Sequence, residues 1–140
     1  MTVASIREGA VIDSSAVVAL LVDSGPVGDW VAETVTGRML FAPDLMPFEA
    51  ANILRRSRLA GSIDDTTATL AHVDLLALMI QLDPYYAVAE RVWSLRDNVT
   101  VYDAAYVAIA EARGVPMITL DERLARSSGP KCGFLTPVSH

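Results

Sequence analysis

Four acidic residues in this 140-residue chain stand where a carboxylate is hard to explain as an ordinary solvated side chain. Asp13 closes the short apolar stretch Ala10 to Asp13, Glu49 sits inside an amphipathic run, Asp103 opens a helix-forming segment, and Asp121 directly follows the apolar Met117 to Leu120. Carboxylates gathered in one cleft raise one another's pKa values unless cations neutralise them. The cations that prefer oxygen ligands are hard divalent ions, Mg²⁺ or Mn²⁺. Two of them about 4 Å apart can activate a water and stabilise the leaving oxygen of an in-line phosphoryl displacement. No Gly-rich phosphate loop, Ser-His-Asp set or zinc-ligand spacing competes for the chemistry. Each acid also has a local explanation. Asp13 and Asp121 can cap the helices that follow them, and Thr100-x-x-Asp103 matches a capping box. On its own segment, Glu49 leaves metal ligation and pairing with Arg56 equally open.

Convergence of these acids depends on the elements that carry them. The central stretch is Thr100 to Leu124, TVYDAAYVAIAEARGVPMITLDERL. Tyr102 to Ala112 predicts a helix, Gly114 its end, and Pro116 the opening of a strand from Met117 to Leu120. A crossover helix runs antiparallel to the strands of its sheet, so its first turn lies at the edge where the next strand ends. Asp103 and Asp121 can therefore be neighbours, at the edge where open α/β sheets bind ligands. Upstream, Ala10 to Asp13 followed by Ser14-Ser15 and a helix through Val22 has the layout of a first βα turn. Val27 to Thr36 predicts a second helix with Trp30 in the core, and Arg38 to Ala42 a second strand. Pro43-Asp44 is expected to cap a long helix to Ala60, on which Leu45, Glu49, Asn52, Ile53 and Arg56 share a stripe. Ser62 to Leu78 predicts a helix carrying His72, Met79 to Leu82 a third strand, and Tyr85 to Leu95 a helix with Val88, Val92 and Leu95 inward and Trp93 beside them. Phe134-Leu135 reads as a short edge strand, Cys132 as a small buried residue within it, and Met1 to Gly9 as a loose terminus.

Composition narrows the class. The chain is 52% hydrophobic and 20% charged, rich enough in apolar residues that part of its surface is expected to be covered by a partner. The apolar run Ala16 to Val22 is too short to span a bilayer and lacks a basic segment and cleavage site before it, which points to a cytoplasmic protein. A single cysteine excludes an intrachain disulfide and a cysteine metal cluster. The net charge of −6 argues against a general nucleic-acid binder. With the four site acids set aside, however, thirteen acidic residues face eleven basic ones, and the remainder is nearly balanced.

Three segments carry a resemblance: VIDSSAVVALL (Val11 to Leu21), APDLMPFEAANILRR (Ala42 to Arg56) and Thr100 to Leu124. They resemble the PIN-domain ribonucleases of the VapC toxin type, from type II VapBC toxin-antitoxin systems, over nearly the whole chain. The resemblance implies a single PIN domain over 1–140, a three-layer α/β/α sandwich with a central parallel sheet of four to five strands, and RNA cleavage dependent on Mg²⁺ or Mn²⁺. It also implies a homodimer and a VapB-type antitoxin that occupies the active-site groove. Carried onto this sequence, Asp13, Glu49, Asp103 and Asp121 become the metal-binding and catalytic set, and Ser14 or Ser15 a secondary polar contact. Arg55, Arg56 and Arg58 are candidates for contact with RNA phosphates or antitoxin carboxylates, against a reading as a solvated helix face. Two other readings compete. One is a catalytically silent PIN-like module that keeps its acids for pairing with a small basic partner. The other is a fold in which Asp13 is phosphorylated, disfavoured because Ser15 stands where such phosphatases prefer a second Asp.

Overall fold

The computed structural model describes residues 7–137. Five parallel strands form one sheet: β1 (Ala10–Ile12), β2 (Leu40–Pro43), β3 (Ile80–Asp83), β4 (Met117–Ile118) and β5 (Phe134–Leu135), in the order β3-β2-β1-β4-β5. Seven helices accompany it: α1 (Ser14–Val22), α2 (Pro26–Val35), α3 (Met46–Leu59), α4 (Asp65–Ala77), α5 (Ala89–Ser94), α6 (Val101–Arg113) and α7 (Glu122–Ala125). Helices α1 to α4 pack among themselves, while α5 packs on α6 and α6 lies on β1, β2 and β4. The result is a helix-sheet-helix stack, as expected from the sequence.

Strand β1 is the centre of this arrangement. Its residues are wholly apolar and all fully buried, as befits a parallel strand covered on both faces. From β1 the chain builds outward to β2 and β3 on one side and later to β4 and β5 on the other. The direction of winding therefore reverses between β1 and β4. Such a switch point leaves a crevice at the carboxyl ends of the two strands, and Asp13 and Asp121 are the residues found there.

Helix α6 is buried without interruption from Ala104 to Ala110. Its alanines let it approach the sheet closely, and Tyr106, Val107 and Ile109 fill the space between, each contributing about 1.5–3 kcal/mol by leaving water. Gly114 ends the helix at φ +66°, a left-handed conformation in which a Cβ is disfavoured. At the α1–α2 joint, a Cβ on Gly28 would lie 1.8 Å from the Asp23 carbonyl oxygen, so the turn requires glycine.

Several boundaries differ from expectation for visible reasons. Pro43 belongs to β2, and the Asp44 N–H donates to the Asp83 carbonyl of β3 at 3.0 Å. Strand pairing thus takes the residues expected to cap α3, whose N-cap is Leu45 without a side-chain bond. On α3 the buried face is Met46, Ala50 and Leu54, with Leu45 and Ile53 at its margin; Asn52 and Arg56 point outward. The expected helix from Tyr85 breaks at Val88 (φ −130°) into a 3-10 turn, Tyr85–Ala87, and α5. Val88, Val92 and Leu95 do face inward, but Trp93 is exposed. Strand β4 stops at Ile118, two residues short of its expected end. Trp30 is only partly buried, and His72 is exposed. Cys132 is half-buried and precedes β5 rather than lying within it, with burial pushing its thiol up to about 11. Of the expected loose terminus, residues 1–6 lie outside the described residues. Arg7 is tied down, its guanidinium donating to the carbonyls of Glu33 (2.9 Å) and Thr36 (3.3 Å). No single helix among the described residues is long and apolar enough to cross a membrane.

Candidate active site

Asp13 leaves β1 at the switch point and is also the N-cap of α1, so the local and the chemical explanations both hold. Its Oδ1 accepts from the Ala16 N–H (2.9 Å) and the Ser15 hydroxyl (2.7 Å), and its Oδ2 accepts a short bond from the Thr119 hydroxyl. Thr119 is fully buried beyond the end of β4, and its hydroxyl also accepts the Asp121 N–H at 3.0 Å. One threonine thereby fixes Asp13 relative to Asp121 across the crevice. Asp121 caps α7, accepting from the N–H groups of Arg123 (3.0 Å) and Leu124 (3.2 Å).

Glu49, in the first turn of α3, is half-buried. Its Oε1 accepts the Tyr106 hydroxyl at 2.6 Å, and the Ser14 hydroxyl lies beside the same pair. Tyr106 lies on α6 one turn after Asp103 and is 2% exposed. Burial, and then the carboxylate it faces, push its phenol far above its usual range, so it acts only as a donor. Asp103, in the first turn of α6, forms half of the expected capping box: its N–H donates to the Thr100 hydroxyl at 3.1 Å, and its carboxylate faces the same hydroxyl rather than the Thr100 N–H.

Electrostatics tie the four together. Burial is the largest influence raising Asp13, Glu49 and Asp103 above the ordinary carboxylate range, and neighbouring negative charge adds to it. Asp121 acts on Asp13; Asp103 and Asp13 act on Glu49; Asp121 and Asp13 act on Asp103. Hydrogen bonds from Thr119, Ser15, Tyr106 and Thr100 work in the opposite direction. Outside the site, the two acids that are not exposed each hold an arginine, Asp83 with Arg113 and Glu111 with Arg91, and two exposed ones, Glu8 and Asp65, lie near Arg38 and Arg58. None of the four site carboxylates has such a partner among the described residues.

An all-oxygen donor set of mutually repelling carboxylates suits a hard divalent cation. The geometry is looser than the chemistry. Among the described residues no three acidic, His or Cys side chains form a ready metal-binding group, and Asp103 and Asp121 line a concavity that Asp13 and Glu49 do not. Coordination by all four requires some of them to turn from their present hydrogen bonds.

The structure brings Ser14 and Ser15 to the site, each on a different acid. Arg56 does not reach Glu49, whose partners are hydroxyls. Arg55, Arg56 and Arg58 are exposed further along α3; Arg55 reaches Asn52 at 3.5 Å, Arg58 reaches Asp65 at 3.6 Å, and none lines the concavity of Asp103 and Asp121. Sequence reasoning passed over Tyr106 and Thr119. Both are polar groups at apolar positions, Tyr106 at helical spacing from Asp103 and Thr119 two residues before Asp121, and that was their available signal.

The PIN domain family model matches residues 10–129. The ribonuclease VapC12 of Mycobacterium tuberculosis is 37% identical over 119 residues, covering 85% of this chain and 92% of that protein. Among solved structures, PAE2754 from Pyrobaculum aerophilum superposes with a TM-score of 0.66 at 25% identity, over 93% of this chain and 92% of that one. VapBC2 from Rickettsia felis, bound to a DNA fragment from its promoter, superposes with a TM-score of 0.61 at 7% identity, over 93% and 98% of the two chains.

Proposed function

Starting from a chain that belongs to the PIN-domain family, we propose that it is a VapC-type ribonuclease, the toxin of a toxin-antitoxin pair, hydrolysing RNA phosphodiester bonds with Mg²⁺ or Mn²⁺ held by Asp13, Glu49, Asp103 and Asp121. The observation that carries the metal assignment is the contrast in ion pairing. Of the six acids that are not exposed, Asp83 and Glu111 each hold an arginine and the four at the switch point hold none, although burial and neighbouring negative charge raise the pKa values of Asp13, Glu49 and Asp103.

A divalent cation held there supplies Lewis-acid stabilisation for the negative charge that develops on the phosphodiester. The protein's part is placement. Asp13 is fixed in direction by a helix N-terminus and by Thr119, Glu49 by Tyr106 and Ser14, Asp103 by Thr100, and Asp121 by two backbone amides. These donors favour the charged carboxylates that a cation requires.

The partner is a VapB-type antitoxin, by analogy with the Rickettsia complex. Large apolar residues on the surface, Phe48 (81% exposed), Leu76 (72%) and Met79 (94%) among them, support covered surfaces in the working assembly, with antitoxin and with a second copy in a homodimer. Such a pair works in the cytoplasm. A second reading, a silent binding module, is favoured by one observation: the acids already engage protein donors and form no ready ligand group.

Incubation of purified protein with RNA, with Mg²⁺, Mn²⁺ or chelator and beside Asp103→Asn, separates the two. The nuclease reading expects metal-dependent cleavage that falls at least a hundredfold in the variant. Cleavage indifferent to chelator removes the metal, and no cleavage under any condition favours the silent module.

A further inference from the structure

The concavity that holds Asp103 and Asp121, about 460 Å³, is lined on its other sides by Arg96, Asp97, Asn98, Arg123 and Ser127. It thus sets two guanidinium-bearing residues beside two of the proposed catalytic acids and a third acid, Asp97, in a chain whose net charge is −6. Arg96 is held in place. Its Nη1 donates to the Trp93 carbonyl at 2.9 Å, and its guanidinium lies 4.7 Å from the centre of the Trp93 ring. Trp93 remains 58% exposed, an unusual placement for an indole with an apolar core close by. Arg123, on α7, is exposed and forms no side-chain hydrogen bond or ion pair among the described residues.

We propose that Trp93, Arg96 and Arg123 form a track for single-stranded RNA leading into the acidic site, Arg96 and Arg123 contacting phosphates on either side of Asp103 and Asp121 while Trp93 and the Arg96 plane stack on an unpaired base. The proposal rests on the nuclease reading and names how that site takes its substrate. Acids alone would repel a polyanion, and flanking guanidinium groups offset that repulsion where the strand must approach. A stacking platform accepts any base but only one already free of a helix, so the track selects unpaired RNA rather than a sequence. It also places substrate contacts on α5, α7 and the loop before α6, not on the arginines of α3.

The test measures binding and cleavage separately. A fluorescent single-stranded RNA of twelve nucleotides is titrated into wild type, Arg96→Gln, Arg123→Gln, Trp93→Leu and, as a control outside the concavity, Arg126→Gln, in Ca²⁺ at several salt concentrations. Each of the first two variants is expected to lower the slope of log affinity against log salt by about 0.7, the value for one lost phosphate contact on a single strand. Trp93→Leu is expected to bind roughly tenfold more weakly. Wild type should also show quenching of tryptophan emission that Trp93→Leu lacks, and a perfect duplex should bind more weakly than the single strand. Slopes and emission that match the Arg126→Gln control overturn the track. Cleavage in Mg²⁺ or Mn²⁺ is scored on the same proteins. Track-dependent binding without cleavage would leave this inference standing and remove the nuclease reading; cleavage unaltered in all three variants would do the reverse.

Discussion

Replacing Tyr106 with phenylalanine removes one oxygen atom from the candidate site and nothing else. The ring stays in a pocket where it is 2% exposed, and the lost group is the donor 2.6 Å from Glu49 Oε1. A hydrogen bond to a charged acceptor contributes about 1.5–3 kcal/mol, and the lower end applies here because Glu49 is half-buried and keeps Ser14. That loss falls on the charged carboxylate. Burial already raises Glu49, with the Tyr106 bond pulling the other way, so its removal raises Glu49 further. Protons then compete better with a cation. Groups that orient a metal-binding side chain typically matter by a factor of 10–100, and one bond of this strength corresponds to roughly tenfold weaker Mn²⁺ binding at neutral pH. Calorimetric titration with Mn²⁺ reads the affinity, and the acid limb of the cleavage profile should move to higher pH. Unfolding free energy should fall by about 1.5 kcal/mol, the lower end for such a bond, with no cavity cost added because the core keeps its volume. Unaltered Mn²⁺ affinity together with an unaltered pH profile would refute the claim that Tyr106 sets the state of Glu49. Lost cleavage with unaltered Mn²⁺ affinity would refute it as well and assign the hydroxyl to the substrate.

Thr119→Val keeps shape but strips the hydroxyl that bonds Asp13 and accepts the Asp121 N–H, leaving a buried carboxylate oxygen and a part-buried N–H short of a partner. It should destabilise by about 1–3 kcal/mol in denaturant unfolding and weaken Mn²⁺ binding together with it. In metal-free protein the raised pKa values of Asp13, Glu49 and Asp103 mean that the folded state binds protons more tightly than the unfolded chain. Their stabilising contribution is full below the ordinary carboxylate range and is lost as pH rises through their folded-state values. Asp83 and Glu111 are lowered and carry the opposite sign, so the check compares wild type with Asp103→Asn, where they cancel. The variant should melt higher than wild type at pH 7.5 in chelator, with the gap closing toward pH 4. Arg113 holds Asp83 through two bonds of 2.7 Å and stacks 4.0 Å from the Phe41 ring centre; Arg113→Met should cost about 1 kcal/mol of stability and leave Mn²⁺ affinity unchanged.

Much of the fold was legible because local chemistry and tertiary demand agree. Ala10–Ile12 is apolar and ends in an acid, α1 starts at the residue after that acid, and Gly114 stops α6 where a left-handed residue is needed. Legibility fails where a distant element overrides a local signal. Asp44 looks like a helix cap, but β3 claims its N–H, and Trp93 sits on a helix whose inward face is already filled by Val92 and Leu95. The acids could be placed on one edge from topology alone. Their partners could not, because Tyr106 reaches Glu49 across 57 positions and Thr119 reaches Asp13 across 106. Spacing in a sequence says which faces residues occupy, not which faces meet.

The bond between Thr119 and Asp13 also bears on when the four acids can come together. Its two ends directly follow β1 and β4, so a chain still being translated lacks the threonine, and Asp121 with it, until those two positions have been added. Assembly of the four-acid site is consequently deferred until translation has passed residue 121.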